Sequence, residues 1–337
     1  MFKKVMFLGS LMLLGCGAPT PSSGLKEAMN SLNNPANIPG RVSQLSMILT
    51  DLPDSGNLAT PVWVADWYPS SRGGVAYRPN PKVPSPLEKY DLAMHDSQQR
   101  ATYWELQTSK TLANVEWAGH CNGLAAASTM TDEPRVPVTY NNVYFTTDDV
   151  KALLIEMWQG GGHIVGGRCD AENIQYDSVG RMIQDECRDL NPATFHIAIT
   201  NFLGLFRKPI IADLDAGIQV WNYPIISYTV QDKRPNLTVR DVTYWLTGVA
   251  KDTYDYNPDA VSFAFYQTQV TYTSMIKIYQ YILELDASGQ IIGGEWYGVS
   301  KKDHPDFIWR HTSPTPENPF IDVHTIYDIY FRSIPAY

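Results

Sequence analysis

An α+β fold follows from three stretches of the sequence. In "TTDDVKALLIEMWQGGG", Val150, Leu153, Leu154 and Met157 fall at i, i+3, i+4 and i+7, the spacing of one helix face. In "TFHIAITNFLG", Phe195, Ile197 and Ile199 alternate with His196, Ala198 and Thr200, and "KPIIADLDAGIQVWNYPI" follows, so both read as strands. From about Val239 onward the alternation returns in "VSFAFYQTQVTYT" and "IYQYILELDASGQIIGGEWY", which predicts a β-rich last hundred residues.

The chain opens with "MFKKVMFLGSLMLLGCG": two lysines, a short apolar run, then small residues, the pattern of an export signal. The run is well short of the ~20 residues that a membrane-spanning helix needs. Leu13, Gly15 and Cys16 fit a lipobox, so residues 1–15 are expected to be cleaved and Cys16 lipidated. Gly17, standing where an Asp would retain a lipoprotein at the inner membrane, favours the outer membrane, with the domain facing the periplasm or the outside. Residues 16–45 then form the lipidated cysteine and a flexible tether that starts "GAPTPSSG".

Loss of Lys3 and Lys4 with the signal takes the formal net charge from -9 to -11, and the basic residues do not cluster. Nucleic acid and anionic membrane surfaces are therefore not expected as partners, and the membrane is met only through the lipid. A mature chain of a little over 300 residues suffices for one large or two ordinary domains. The expected division is a catalytic core at 46–235 and a β-rich region at 236–337 packed on it.

Taken in order, "VWVADWYPSSRGGVAYRPN" is aromatic and rich in turn residues, which predicts short irregular strands and loops. A helix begins at Cys121: Gly119 permits a tight approach, and the alanines after Leu124 let another element come close. In the amphipathic helix, Thr147 is the expected cap, Asp148 and Asp149 favour the first turn, and Gly160 to Gly162 end it. A hairpin turn is expected at Asp286 to Gly289.

Export places the remaining cysteines in an oxidising compartment. Cys169 and Cys187 bracket a polar stretch and are expected to pair, a bridge contributing about 3 kcal/mol on the loop-entropy argument. Cys121 is then left over, and a free thiol in such a compartment is either buried or used. Nucleophilic thiol chemistry needs a base and a group to orient that base, and the chain offers Cys121, His196 and Asp213 in that order. Asp215, two residues on along the same side of a strand, is a rival to Asp213. The Cys121 backbone N–H and the Trp117 indole are candidate oxyanion donors. Trp221 and Asn222 either hold the strand after the aspartate or line an acceptor groove.

The other histidines offer less. His120 abuts Cys121, but helix neighbours point apart. His163 sits among glycines, and His304, His311 and His324 fall in the β-rich region; no pair has metal-ligand spacing with a cysteine, so no metal is expected. "DLDAG" and "DASGQIIGGE" lack the ligand at every second position that a calcium loop needs, so no cofactor is expected, and a need for calcium stays open without support from the sequence.

The blocks "WAGHCNGLAAAS", "CRDLNPATFHIAITNFLG" and "ADLDAGIQVWNYPIISY" together resemble the transglutaminase elicitor family, secreted transglutaminases best known from oomycete pathogens. "VWNYPI" is similar to that family's elicitor peptide core, Val-Trp-Asn-Gln-Pro-Val, with Tyr223 in place of Gln and Ile225 in place of Val. "DWYPSSRGGVAYR", "SPLEKYDLA" and "IIGGEWYGVSKKDHPDFIW" extend the resemblance over about residues 60 to 310. It implies a papain-like core acting on glutamine carboxamides. Cys121 would attack the γ-carboxamide, His196 would serve as base and then as acid to the leaving ammonia, and Asp213 would orient His196. The thioester would pass its acyl group to a lysine amine or to water. Partners would be proteins with exposed Gln and Lys, met by a monomer. Two other readings stay open: a papain-like cysteine peptidase or amidase, and a catalytically silent surface lipoprotein that binds through its aromatic β-rich face.

Overall fold

The computed structural model describes residues 33–38, 45–169, 171, 173–176, 182–184, 187, 190–214, 217–247 and 256–335. The export signal, Cys16, most of the tether and Asp215 lie outside the described residues. Strand β1 (Ser55–Asn57) precedes helices α1 (Pro86–Ala93), α2 (Arg100–Leu112) and α3 (Cys121–Met130). The ribbon β2 (Val138–Tyr140) and β3 (Val143–Phe145) leads to α4 (Thr147–Met157) and β4 (His163–Gly166). Then come α5 (Pro192–Ile199), β5 (Ile211–Asp213), β6 (Asn222–Leu237), α6 (Val239–Thr247) and the strands β7 (Ser262–Tyr272), β8 (Ile276–Leu285) and β9 (Ile291–Trp296). β10 (Phe307–Arg310) and α7 (Val323–Ser333) complete the order.

Apart from the β2–β3 ribbon, the strands form one antiparallel sheet in the order β4-β10-β5-β6-β7-β8-β9, with β1 on β6. The expected α+β class is what the chain adopts. β6 runs without a break through 235/236, and β10 sits between β4 and β5, so the last hundred residues complete the sheet that carries the site. They also contain α6 and α7, so that region is not all strand as expected. α7 is amphipathic and docks Ile326 and Ile329 into the core, a period that the strand-rich neighbourhood obscured.

Successive residues of a strand point to opposite faces, and here each face has its own core. Ile211, Phe307 and Trp309 join the apolar cluster of α1, α3, α4 and α7. Ala212 and Ile308 join the cluster built around α5 and the strands β7 to β9. α3 and α5 therefore lie on opposite faces of the sheet. The tyrosine-rich β7–β8 pairing supplies the second core with Tyr266, Tyr279 and Tyr281.

The segment "TFHIAITNFLG" is helical, not extended. Asn191 caps α5 by accepting from Ala193 N at 2.8 Å, and Pro192 occupies the first turn, where its missing N–H costs nothing. Every residue of α5 is buried, so no polar stripe marks the helical period, and small residues between apolar ones imitate a strand. In α4 the cap is Thr146, one residue before the expected Thr147. Its hydroxyl accepts from Asp149 N at 3.1 Å, and Asp149 accepts in return from Thr146 N at 2.7 Å, a capping box. The aromatic stretch from Trp63 runs as loops with two short helical turns, and the Asp286–Gly289 turn joins β8 to β9 as expected. Cys169 and Cys187 form a disulfide, which leaves Cys121 free.

Candidate functional site

Cys121 is the first residue of α3, and two glycines set its position. A Cβ on Gly123 would lie 2.3 Å from Ile155 O, so α3 approaches α4 more closely than any other residue there would permit. A Cβ on Gly119 would lie 2.5 Å from the ring of Trp67. That ring is seated because His120 N donates to Trp67 O at 2.8 Å, which lays the 67–70 segment along the residues that lead into α3. Asn122 Nδ2 donates to Gln159 O, and Gly123 N to Gln159 Oε1, tying the same turn to the end of α4.

Strands β5 and β6 bring the remaining groups. Asp213 and Asn222 are cross-strand partners, and both are buried. Asn222 Nδ2 lies 3.7 Å from Cys121 Sγ, and the thiol faces Val220 O at 3.7 Å. Trp309 Nε1 donates to Asn222 Oδ1 at 2.6 Å, which fixes the amide so that its NH2 end meets the sulfur. Asp213 Oδ1 accepts from Trp221 N at 2.7 Å.

Burial pushes the Cys121 thiol above its ordinary range. The backbone N–H and side-chain amide of Asn222 pull it down, the Asp213 charge pushes it up, and the Asn122 N–H pulls it down. The resting sulfur therefore keeps its proton, with three N–H donors arranged for the thiolate.

At the mouth, Trp221 packs edge-on against Trp67 with ring centroids 5.7 Å apart, and its indole N–H donates to Gln219. Trp117 is half-buried, its ring under the Arg168 guanidinium at 5.7 Å, so its recorded contact is with that cation and not with the thiol.

His196 is not part of this constellation. It sits on α5, across the sheet from α3, with Nδ1 2.9 Å from Tyr281 Oη and its ring 4.7 Å from that of Tyr266. Burial pulls its pKa down to about 3, so it is a neutral core imidazole. The expectation that it faces Cys121 fails because its segment is a helix under the opposite face. The structure thus brings together Cys121, Asp213, Asn222 and Trp221 and separates them from His196.

The model of the family described as transglutaminase elicitor matches residues 104–276 and 269–329, most of the chain. The chain belongs to the transglutaminase elicitor family. Among solved structures, the crystal structure of the GP42 transglutaminase from Phytophthora sojae superposes with a TM-score of 0.68 at 23% identity, covering 86% of this chain and 94% of that one. At that identity the likeness shows a shared fold. No curated protein matches the chain. Two family-like blocks hold residues that sequence reading did not single out: "DWYPSSRGGVAYR" contains Trp67, which walls the site, and "HPDFIW" ends in Trp309, which aims Asn222. Their positions in those blocks were the available signal.

Proposed function

We propose that the chain is a transglutaminase-type acyltransferase acting on glutamine side chains of proteins. Cys121 is the nucleophile, and Asp213, not His196, receives its proton. The observation that carries this reading is the free Cys121 at the start of a helix, facing Asn222 and under the charge of buried Asp213. A helix bearing the cysteine packed on strands bearing Asp213 and Asn222 also supports a papain-like arrangement.

In the first step, the sulfur forms a bond to the γ-carboxamide carbon as its proton passes to Asp213. The Cys121 N–H and the Asn222 amide would stabilise the developing oxyanion. Collapse breaks the C–N bond, Asp213 returns the proton to the nitrogen, and ammonia leaves. In the second step, a lysine amine attacks the thioester, the C–S bond breaks, and Asp213 carries the amine proton to the sulfur. Water in place of the amine gives glutamate. The Trp67–Trp221 wall narrows the mouth and favours an extended side chain such as lysine over bulk water. The leader sequence supports export and anchoring through Cys16 at the outer membrane, so the substrates are proteins outside the cytoplasm, met by a monomer.

A glutamine-containing casein with a fluorescent amine tests this. Wild type incorporates the label into intact chains, and Cys121→Ala does not; fragmentation without labelling would turn the reading to a peptidase. A second reading, a catalytically silent binding lipoprotein, draws on the upward push that burial gives the thiol. It requires that iodoacetamide alkylate Cys121 no faster than a model thiol and that no label be incorporated.

A further inference from the structure

At the residue just before α3, three separated segments converge on one imidazole. Glu105 from α2, His120 just before α3 and Glu156 from α4 are all buried, and one ligand atom from each lies within 4.8 Å of the others. His120 Nε2 is 3.1 Å from Glu156 Oε2 and 3.5 Å from Glu105 Oε1. Donor atoms that surround one tetrahedral cation at about 2.0–2.2 Å stand roughly 3.3–3.6 Å apart, which these spacings approach.

The outer groups are arranged as they are around metal-bound imidazoles and carboxylates. His120 Nδ1 donates to Tyr68 O at 3.2 Å, which fixes the tautomer with Nε2 turned to the two carboxylates. Asn318 Nδ2 donates to Glu156 Oε1 at 2.9 Å, and Ser109 Oγ to Glu105 Oε1 at 2.9 Å.

Charge supplies an independent argument. Glu105 and Glu156 are both buried, so two carboxylates face one imidazole. A buried excess of negative charge is costly, and a divalent ion relieves it where one proton does not.

We propose that Glu105, His120 and Glu156 bind one divalent cation of the zinc class. Imidazole with two carboxylates suits Zn2+ better than Ca2+, which prefers six to eight oxygens. Binding exchanges the Nε2 proton for the metal, so one proton leaves per ion. The ligands come from positions 105, 120 and 156, too far apart for any short spacing motif, which is why the sequence predicts no metal. The site is separate from the proposed acyl-transfer chemistry, and its test does not depend on activity.

The experiment is Zn2+ titration of the mature chain carrying Cys121→Ala, so that no free thiol competes, by calorimetry in buffers of different ionisation enthalpy. One equivalent should bind with release of about one proton. Glu156→Gln and Glu105→Gln, each confirmed folded by circular dichroism, should weaken binding on the order of 100-fold, and Ca2+ should not compete. Should either variant fail to fold, proton release and Ca2+ insensitivity in the parent protein decide. Absence of stoichiometric Zn2+ binding, binding untouched by folded Glu-to-Gln variants, binding without proton release, or displacement by Ca2+ overturns the proposal.

Discussion

Asp213 and His196 are both buried titratable groups, and their surroundings give them opposite work. Asp213 lies beside Asn222 on the face that carries Cys121, whereas His196 is bonded to Tyr281 within an aromatic core. Asp213→Asn should lower kcat by about 100-fold to 10,000-fold with KM little changed, the range for loss of a general base. His196→Leu should keep kcat within about threefold while costing about 1–3 kcal/mol of stability, because Tyr281 loses a partner. Measurement of kcat beside denaturant midpoints separates the two.

Histidine burial also sets a pH dependence. His196 is pulled down to about 3, and His304 and His311 to about 4, chiefly by burial. The unfolded chain binds these protons below about pH 6.5 while the folded chain does not. Their contribution is therefore complete above about 6.5 and falls as pH drops towards 4 and 3. Between pH 6 and 5, each should remove about 1 kcal/mol, and His196→Leu should shrink the fall by that amount in urea titrations. Cys121, Asp213, Asn222 and Trp221 were legible in the sequence because family-like blocks carry them. His196 was misplaced because its neighbours alternate in size as strand residues do.

At the scale of elements, the reach of α3 towards the sheet depends on its contact with α4. Gly123→Ala would bring a methyl into Ile155 O, pushing the helix outward; about 1–3 kcal/mol of destabilisation and a large loss of Cys121 alkylation rate are expected together. Thr146→Ala removes the cap of α4 at the far end of that helix and should cost about 1 kcal/mol with alkylation unchanged. α4 was readable because one face is apolar and its end is marked by glycines. α5 was not, since a helix buried all round shows no stripe. The Cys121 helix was readable from its glycine and alanines, which mark close approach instead of amphipathicity.

Across the whole molecule, the sheet binds early and late parts of the chain into one scaffold. β10 lies between β4 and β5, so Trp309 reaches Asn222 only after the last strand is in place. Composition and alternation gave the α+β class, but no local pattern encodes an insertion of this kind, which rests on long-range pairing. Trp309→Phe should leave the Asn222 amide unaimed and reduce kcat about tenfold, with the fold retained as read by circular dichroism. Removal of the Cys169–Cys187 bridge should cost about 2–4 kcal/mol in unfolding experiments. The central claim is that proton transfer from Cys121 runs through Asp213. Ammonia release from a glutamine peptide, followed for wild type, Asp213→Asn and His196→Leu as folded proteins, tests it most directly. The account predicts that Asp213→Asn is nearly inert and His196→Leu nearly wild type; the reverse order of rates would contradict it.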